Sequence, residues 1–138
     1  ITIARMNESW THTTGADNLA TRTYSANSSG TITLSIMQSS NSNDVLTALW
    51  ERDNNLKNNK GLFSITVKDA SGRSVYYSPE AYIGKIPDSA FGSGVSGRDW
   101  VVNCTNLKHY IGGNSVVSGE IASSLDLLGA DVADAWKE

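Results

Sequence analysis

The chain has 138 residues, only 18% of them charged, and its formal net charge is −3. This length fits one domain of ordinary size whose core needs no disulfide, and the lone Cys104 cannot form an internal one. The acidic balance and the absence of any Lys/Arg run disfavour a nucleic-acid-binding protein, because phosphate contacts demand a basic surface. No apolar run approaches the ~18 residues of a membrane-spanning helix, so no membrane partner is expected.

The first third of the chain is predicted to contain strands. Trp10–Thr13 and Ala20–Tyr24 are weak strand candidates on either side of a polar stretch. The alternation of Ile32, Leu34 and Ile36 with Thr and Ser predicts a longer, half-buried strand.

One helix is predicted to interrupt the strands. Its apolar face consists of residues spaced as neighbours on a helix, namely Val45, Leu46, Leu49 and Trp50. Ser42 or Asn43 is predicted to cap the first amides, and the helix is expected to end near Asp53, where Asn-rich sequence begins. We expect this helix to pack on the sheet.

The later strands follow the same period of two. A hairpin is predicted from the Phe63–Lys68 alternation, the turn residues Asp69–Gly72 and a second strand over Arg73–Tyr77. Pro79 and Pro87 are expected to bracket another short strand, Glu80–Ile86, and Trp100–Thr105 alternates as the last long strand. The predicted core is Ile32, Leu34, Ile36, Leu49, Trp50, Phe63, Ile65, Val67, Trp100 and Val102.

The end of the chain predicts a second helix. Five apolar residues recur there at helical spacing, namely Ile121, Leu125, Leu128, Val132 and Trp136. The sequence therefore predicts a mainly β (α+β) domain over residues 1–114 and a C-terminal helical extension over 115–138.

No catalytic, metal or cofactor site is predicted. Gly92–Gly97 matches a dinucleotide-binding string, but a strand follows it where that site requires a helix, so a flexible glycine loop is favoured. His12 and His109 have no neighbouring ligands at metal-site spacing. Cys104 alternates with apolar residues and is expected to be a buried structural thiol.

A series of short segments resembles one protein family in its order and spacing. The segments are Asn7–Trp10, Gly15–Asp17, Ser40–Leu46, Lys68–Gly72, Ile83–Pro87, Arg98–Trp100 and Ile111–Asn114. Together they resemble the tail tube (inner tube) structural proteins of contractile-tailed bacteriophages, over most of the chain.

This resemblance implies a β-sandwich or half-open barrel flanked by one helix, with a further strand before residue 1. It also implies a virion protein without enzymatic activity or cofactor, assembled in the bacterial cytoplasm. Such subunits form six-membered rings that stack into a tube, with the sheath, baseplate and tape-measure proteins as partners. DNA would pass through the lumen without specific binding, and the lumen is expected to be neutral or acidic.

The resemblance also suggests contact segments. The long polar stretch Gly15–Ser29 is expected to reach the neighbouring ring, with Gly15, Asp17, Arg22 and Tyr24 as candidate residues. Asn54–Gly61 is a second candidate loop. The C-terminal helix is expected to pack on a neighbouring subunit or on the outer wall under the sheath.

Other functions stay open at this point. A tail terminator or baseplate ring protein would cap growth instead of permitting it. A monomeric carbohydrate-binding β-module would need a flat platform among the aromatic residues Trp10, Tyr24, Tyr76, Tyr77, Tyr82 and Tyr110. A hydrolase would need to assemble scattered carboxylates, or use Cys104 as a nucleophile.

Overall fold

The structure is a computed structural model that describes residues 1–113 and 127–128. Four residues of the predicted C-terminal helix, Ile121, Leu125, Val132 and Trp136, lie outside the described residues. Leu128 is described and is exposed.

In the described part of the chain, eight strands and one helix follow one another. They are β1 Thr2–Arg5, β2 Trp10–Thr14, β3 Ala20–Tyr24, β4 Gly30–Met37, α1 Ser42–Leu56, β5 Phe63–Lys68, β6 Val75–Ile83, β7 Gly97–Thr105 and β8 Lys108–Tyr110. The predicted mainly β fold with an early helix is confirmed.

Six strands form the main sheet, in the order β1-β4-β7-β6-β5, with β8 also pairing with β6. The long antiparallel pair β4–β7 lies in the middle, with a register that runs from Gly30 opposite Cys104 to Met37 opposite Gly97. Strands β2 and β3 form a separate two-stranded sheet.

The chain divides into two compact units. One contains Ile1–Thr66 and Tyr76–Lys108, and the other contains Val67–Val75 and the chain from His109 onward. The surfaces considered below that involve β2–β3, β4, α1 and β7 belong to the first unit. The predicted boundary between residues 114 and 115 stays a prediction.

The buried core is centred on the β4–β7 pair. Of the predicted core residues, Ile32, Trp100 and Val102 are buried. The other seven, Leu34, Ile36, Leu49, Trp50, Phe63, Ile65 and Val67, are half-buried within the isolated subunit. Cys104 is buried as predicted.

The two ends of α1 differ from the prediction. Its N-cap is Asn41, whose side chain makes no capping hydrogen bond, and its C-cap is Lys57 in the left-handed conformation (φ 49°). The Lys57 N–H donates to the Asp53 carbonyl at 3.2 Å, which extends the helix beyond the predicted end to Leu56. The left-handed conformation of Lys57 then ends the helix, because it turns the chain off the helical path.

Asn43 does not cap the helix as predicted. Its Nδ2 donates to the carbonyls of Met37 (2.9 Å) and Ser40 (3.0 Å), while its Oδ1 accepts a bond from Trp100 Nε1 at 2.9 Å. The amide nitrogen of Asn43 therefore links the start of α1 to the end of β4, and the amide oxygen links it to the core tryptophan.

Strand β6 takes the place of two predicted strands, Arg73–Tyr77 and Glu80–Ile86. It runs without a break through Pro79, which was expected to mark a strand end. Its register with β7 begins only at Glu80, so the missing Pro79 N–H is not needed in that ladder. The buried Ser78 hydroxyl donates toward the carbonyls of Glu80 (2.8 Å) and Thr105 (2.6 Å) at this point.

Candidate functional site

The hairpin formed by β2 and β3 is exposed along its whole length. All ten strand residues are exposed, and its base closes with a bond from the Ser25 N–H to the Ser9 carbonyl at 2.8 Å. A two-stranded hairpin is only marginally stable alone in water, so an exposed one is a candidate for contact with a partner.

The two faces of this hairpin have different chemistry. Residues directly opposite each other in an antiparallel pair share a face. The register places Trp10 opposite Tyr24, His12 opposite Arg22 and Thr14 opposite Ala20 on one face, here called the aromatic face. The other face carries four threonines, Thr11, Thr13, Thr21 and Thr23.

An aromatic and cationic cluster occupies the aromatic face. The Trp10 and Tyr24 rings have centroids 5.0 Å apart and are inclined at 51°, and the Arg22 guanidinium lies 3.9 Å from the Trp10 ring centroid. Trp10 is 48% exposed and Tyr24 60%. Trp, Tyr and Arg are the residues most often found as interface anchors. Because the two rings are inclined, they do not form the flat platform that a carbohydrate-binding module would need.

The tip of the hairpin is a tight, hydrogen-bonded turn. Gly15 N–H donates to the Leu19 carbonyl (2.9 Å), and Asn18 N–H donates to the Gly15 carbonyl (3.0 Å). The Asp17 carboxylate accepts a bond from the Leu19 N–H at 3.2 Å, and Asn18 takes the left-handed conformation with φ 63°. Asp and Asn suit these positions because their side chains favour turns.

The candidate contact residues therefore fall into two groups. Gly15 and Asp17 shape the tip, whereas Arg22 and Tyr24 lie on the aromatic face of β3. The Gly15–Ser29 stretch is not the continuous loop expected from the resemblance, because strand β3 occupies its middle. The second candidate loop, Asn54–Gly61, begins within α1, which continues to Leu56.

The strand pattern of the hairpin is visible in the sequence. Threonine occupies every second position in both WTHTT and ATRTY. This alternation signals two exposed strands with a hydroxyl face, and it could have identified the aromatic face before the structure was known.

A second exposed apolar surface lies at the end of β4 where Met37 pairs with Gly97. Met37 is 63% exposed, Phe91 81% and Val95 65%. Phe91 and Val95, here called the distal patch, border clefts of about 340 and 330 Å³ respectively, and the two clefts share Gln38 in their walls. By the β4–β7 register, Met37 lies on the face of β4 that carries Thr33 and Ser35. No periodic pattern in the sequence predicts this patch, because Phe91 and Val95 lie in an irregular, glycine-containing loop.

Buried Arg98 organises the loop of the distal patch. Its Nη1 donates to Ser96 Oγ (2.9 Å) and its Nη2 to the Ala90 carbonyl (3.1 Å), while its guanidinium lies 5.4 Å from the Phe91 ring centroid. The loop is further tied to β4 by a bond from the Gln38 N–H to the Ser96 carbonyl at 3.1 Å. These contacts hold in place the loop that carries the exposed Phe91 and Val95.

The two ends of the strand order provide further contact surfaces. β1 and β5 are the terminal strands, and each pairs on one side within the described strands. Among the described residues no strand pairs with the other edge of β1 or of β5, so these edges can pair with strands of another chain.

The described residues offer no catalytic arrangement for Cys104. Its side chain is buried, and burial raises the pKa of the thiol, which disfavours the reactive thiolate. Among the described residues, no group of three or more His, Cys, Asp or Glu side chains is arranged to hold a metal ion. Nor does any described helix have the length and apolar character to cross a membrane.

A β-rich fold with open sheet edges and exposed contact surfaces is typical of self-assembling structural proteins. Comparison with known proteins identifies the family to which this chain belongs. Residues 1–112 match the family described as bacteriophage PhiTE tail tube protein. The chain is also 41% identical over 136 residues to structural protein ORF10 of Pseudomonas phage KPP10, covering 99% of this chain and 79% of that protein.

The chain therefore belongs to the phage tail tube family. It is a structural protein of the virion, and membership of this family implies self-assembly into a tube.

Proposed function

We propose that this protein is the tube subunit of a contractile phage tail, and that it forms hexameric rings which stack around a DNA-conducting channel. Its role is structural and not catalytic, and its further partners are the sheath, baseplate and tape-measure proteins. The tube assembles in the bacterial cytoplasm before DNA passes through it during ejection. The observation that carries the proposal is a sheet whose terminal strands β1 and β5 each pair on one side only among the described residues, together with a separate exposed hairpin, in a chain of the tail tube family.

Ring closure is attributed to the open edges. If β1 of one subunit pairs with β5 of the next, the main sheets join into a continuous barrel around the ring axis. Such head-to-tail contacts close into a ring when the rotation per subunit divides a full turn. The pairing also satisfies edge amides and carbonyls that are a hazard in a monomer.

The channel wall is attributed to the face of the main sheet that points away from the core. The registers place Thr31, Thr33 and Ser35 of β4 on this face, opposite Asn103, Val101 and Asp99 of β7. Neighbouring pairs add Thr2 and Ala4 of β1 and Glu80 and Tyr82 of β6. We call this set the polar sheet face.

The polar sheet face contains two carboxylates and no Lys or Arg among these residues. Ser35 donates a hydrogen bond to Asp99, and Glu80 accepts one from Thr105 Oγ1 at 3.3 Å, so both acids belong to hydroxyl networks. A wall of this kind gives DNA phosphates no counterion-release gain and repels them weakly. This supports a lumen that conducts DNA without binding it.

Contacts between rings are attributed first to the hairpin, including Gly15, Asp17, Arg22 and Tyr24, and second to the Asn54–Gly61 segment. Residues Ile121, Leu125, Leu128, Val132 and Trp136 are proposed to contact a neighbouring subunit or the outer wall under the sheath. Tubes and sheath that form normally after deletion of residues 119–138 would contradict this last contact.

Negative-stain electron microscopy of the purified protein tests the proposal. Hollow tubes of stacked rings are expected, and averaged end views should show six-fold symmetry. Single rings that never stack would indicate a terminator or baseplate ring, whereas dispersed monomers would refute self-assembly. A glycan-binding monomer would be recognised by a titration with oligosaccharides in the same samples.

A further inference from the structure

The cleft of about 340 Å³ beside Phe91 is lined by α1, by the loop that precedes β7 and by β7 itself, all within the first compact unit. Thr47 of α1 and Ser89 of the loop are among its lining residues. Strand β7 contributes Arg98 and Trp100, which alternate with exposed residues and are only 7% and 2% exposed. The cleft therefore contains a charged group that is largely removed from water.

No described carboxylate balances the buried charge of Arg98. Among the described residues one ion pair is found, between Lys85 and Asp88 at 3.3 Å, and both of its side chains are almost fully exposed. The described residues that line the cleft include no Asp or Glu. Burial of a charge without an opposite charge is unfavourable, and buried charges in proteins are therefore usually paired.

Hydrogen bonds use only part of the guanidinium. Its Nη1 donates to Ser96 Oγ (2.9 Å) and to the Gly97 carbonyl (3.4 Å), and its Nη2 donates to the Ala90 carbonyl (3.1 Å). All three acceptors are neutral. An arginine side chain has five N–H donors, so within the described part of the chain the Nε–H and one N–H of Nη2 have no acceptor. Donors on neighbouring nitrogens of a guanidinium match the two oxygens of a carboxylate.

The rest of the lining suits a carboxylate on a short apolar stem. Ile86, Pro87 and Phe91 provide apolar surface. Gln38 also lines the cleft, and its Oε1 accepts a bond from Ser96 Oγ at 3.4 Å, which leaves its amide N–H groups able to donate. A few polar groups among apolar ones are typical of a site that fixes the orientation of its ligand.

We propose that this cleft is a carboxylate-binding site in which Arg98 pairs with the bound carboxylate. The carboxylate comes either from a side chain of a second copy in the assembled tube or from a free small molecule, and the chemistry of recognition is the same for both sources. The site goes beyond the proposed function and does not depend on it, because every lining residue belongs to one subunit.

Thermal unfolding with sodium acetate tests the site directly. Unassembled subunits, separated from tubes by sedimentation, are heated at pH 7 in acetate or in the same concentration of sodium chloride. At about ten times its dissociation constant, acetate should raise the melting temperature by about 3–6 °C relative to chloride, because it binds only the folded state. Acetamide, which has a similar size and no charge, should give no rise.

A carboxylate built into the cleft tests the same pairing without an added ligand. Ser89 is exposed and directly precedes Ala90, whose carbonyl contacts Arg98, so a longer side chain at this position can reach the guanidinium. Ser89→Glu should melt about 2–4 °C above its neutral match Ser89→Gln. It should also lose the response to acetate, which Ser89→Gln should keep. The difference between the two variants should vanish at low pH, when the new carboxylate takes up a proton.

Assembled tubes distinguish the two sources of the carboxylate. If a second copy supplies it, acetate should raise the melting temperature of the subunits but not of the tubes, and Ser89→Glu should form fewer tubes than Ser89→Gln. If the ligand is a free small carboxylate, acetate should act on subunits and tubes alike, and both variants should form tubes equally well.

Two results would overturn the proposal. One is an equal effect of acetate and chloride on the unassembled subunit, and the other is equal melting of Ser89→Glu and Ser89→Gln across the pH range. Failure of the proposed function would look different, because the wild-type protein would then form no tubes while the subunit would still respond to acetate.

Discussion

The hydrogen bond between the Trp100 indole and Asn43 allows a quantitative test of how α1 is held to the sheet. Trp100 is only 2% exposed, and its Nε1 donates to Asn43 Oδ1 at 2.9 Å. In Asn43→Ala the buried indole N–H loses its acceptor, which costs about 1–3 kcal/mol. The amide also loses its bonds to the Met37 and Ser40 carbonyls, worth about 0.5–1 kcal/mol each in a partly exposed site.

The higher helix propensity of alanine offsets about 0.5 kcal/mol of this loss. We therefore expect Asn43→Ala to lower the free energy of unfolding by about 2–4 kcal/mol. The matched control is Asn41→Ala, which removes an asparagine two residues earlier, at the N-cap, where the side chain makes no capping bond. This control is expected to change the free energy by less than about 0.5 kcal/mol, unlike an ordinary cap substitution.

Urea unfolding followed by far-ultraviolet circular dichroism measures these changes, with the assembly state of all variants matched by sedimentation. A double-mutant cycle that combines Asn43→Ala with Trp100→Phe isolates the bond itself, and we expect a coupling energy of about 1 kcal/mol or more. Equal effects of Asn41→Ala and Asn43→Ala, or a coupling energy near zero, would refute the anchoring role assigned to Asn43.

Three further predictions concern the core and the polar sheet face. Gly30→Ala should lower stability by about 1–3 kcal/mol in thermal unfolding, because the new Cβ would lie 2.6 Å from both Leu107 Cδ2 and the Ala4 carbonyl oxygen; an unchanged melting temperature would contradict this packing. Because burial raises the pKa of Cys104 above 9.0, the folded thiol stays protonated while the unfolded one ionises, so stability should fall as pH rises past about 9. Cys104→Ala should flatten that part of the pH profile, and an identical slope in both proteins would exclude the thiol as its cause. Asp99→Lys should make preformed tubes retain short DNA in sedimentation at low salt but not at high salt, whereas wild-type tubes and the Asp99→Asn control should retain little.

The Asn43–Trp100 bond also gives a physical reason for two of the segments on which the resemblance was based. Asn43 lies in Ser40–Leu46 and Trp100 in Arg98–Trp100, which are more than fifty residues apart in the chain. The bond joins these segments in space. In these two segments, the polar residue Asn43 therefore joins elements that are distant in sequence.

Local sequence determined much of the fold. Alternation of apolar residues with Thr and Ser predicted β4, β5 and β7, and the spacing of Leu46, Leu49 and Trp50 predicted α1. These signals are strong because side chains on one face of a strand or helix recur with the period of that element. The tail tube resemblance, also based on the sequence, agreed with the family to which the chain belongs.

Tertiary structure decided what periodicity does not encode. The use of Asn43 by the core tryptophan, the hydrogen bond of buried Ser78 to Thr105, and the passage of β6 through Pro79 all depend on partners distant in sequence. The cleft lined by α1, β7 and the loop before β7 likewise exists only where these separate elements meet. A strand pattern states which face of a strand is apolar, but only the completed sheet determines which surfaces remain exposed for another subunit.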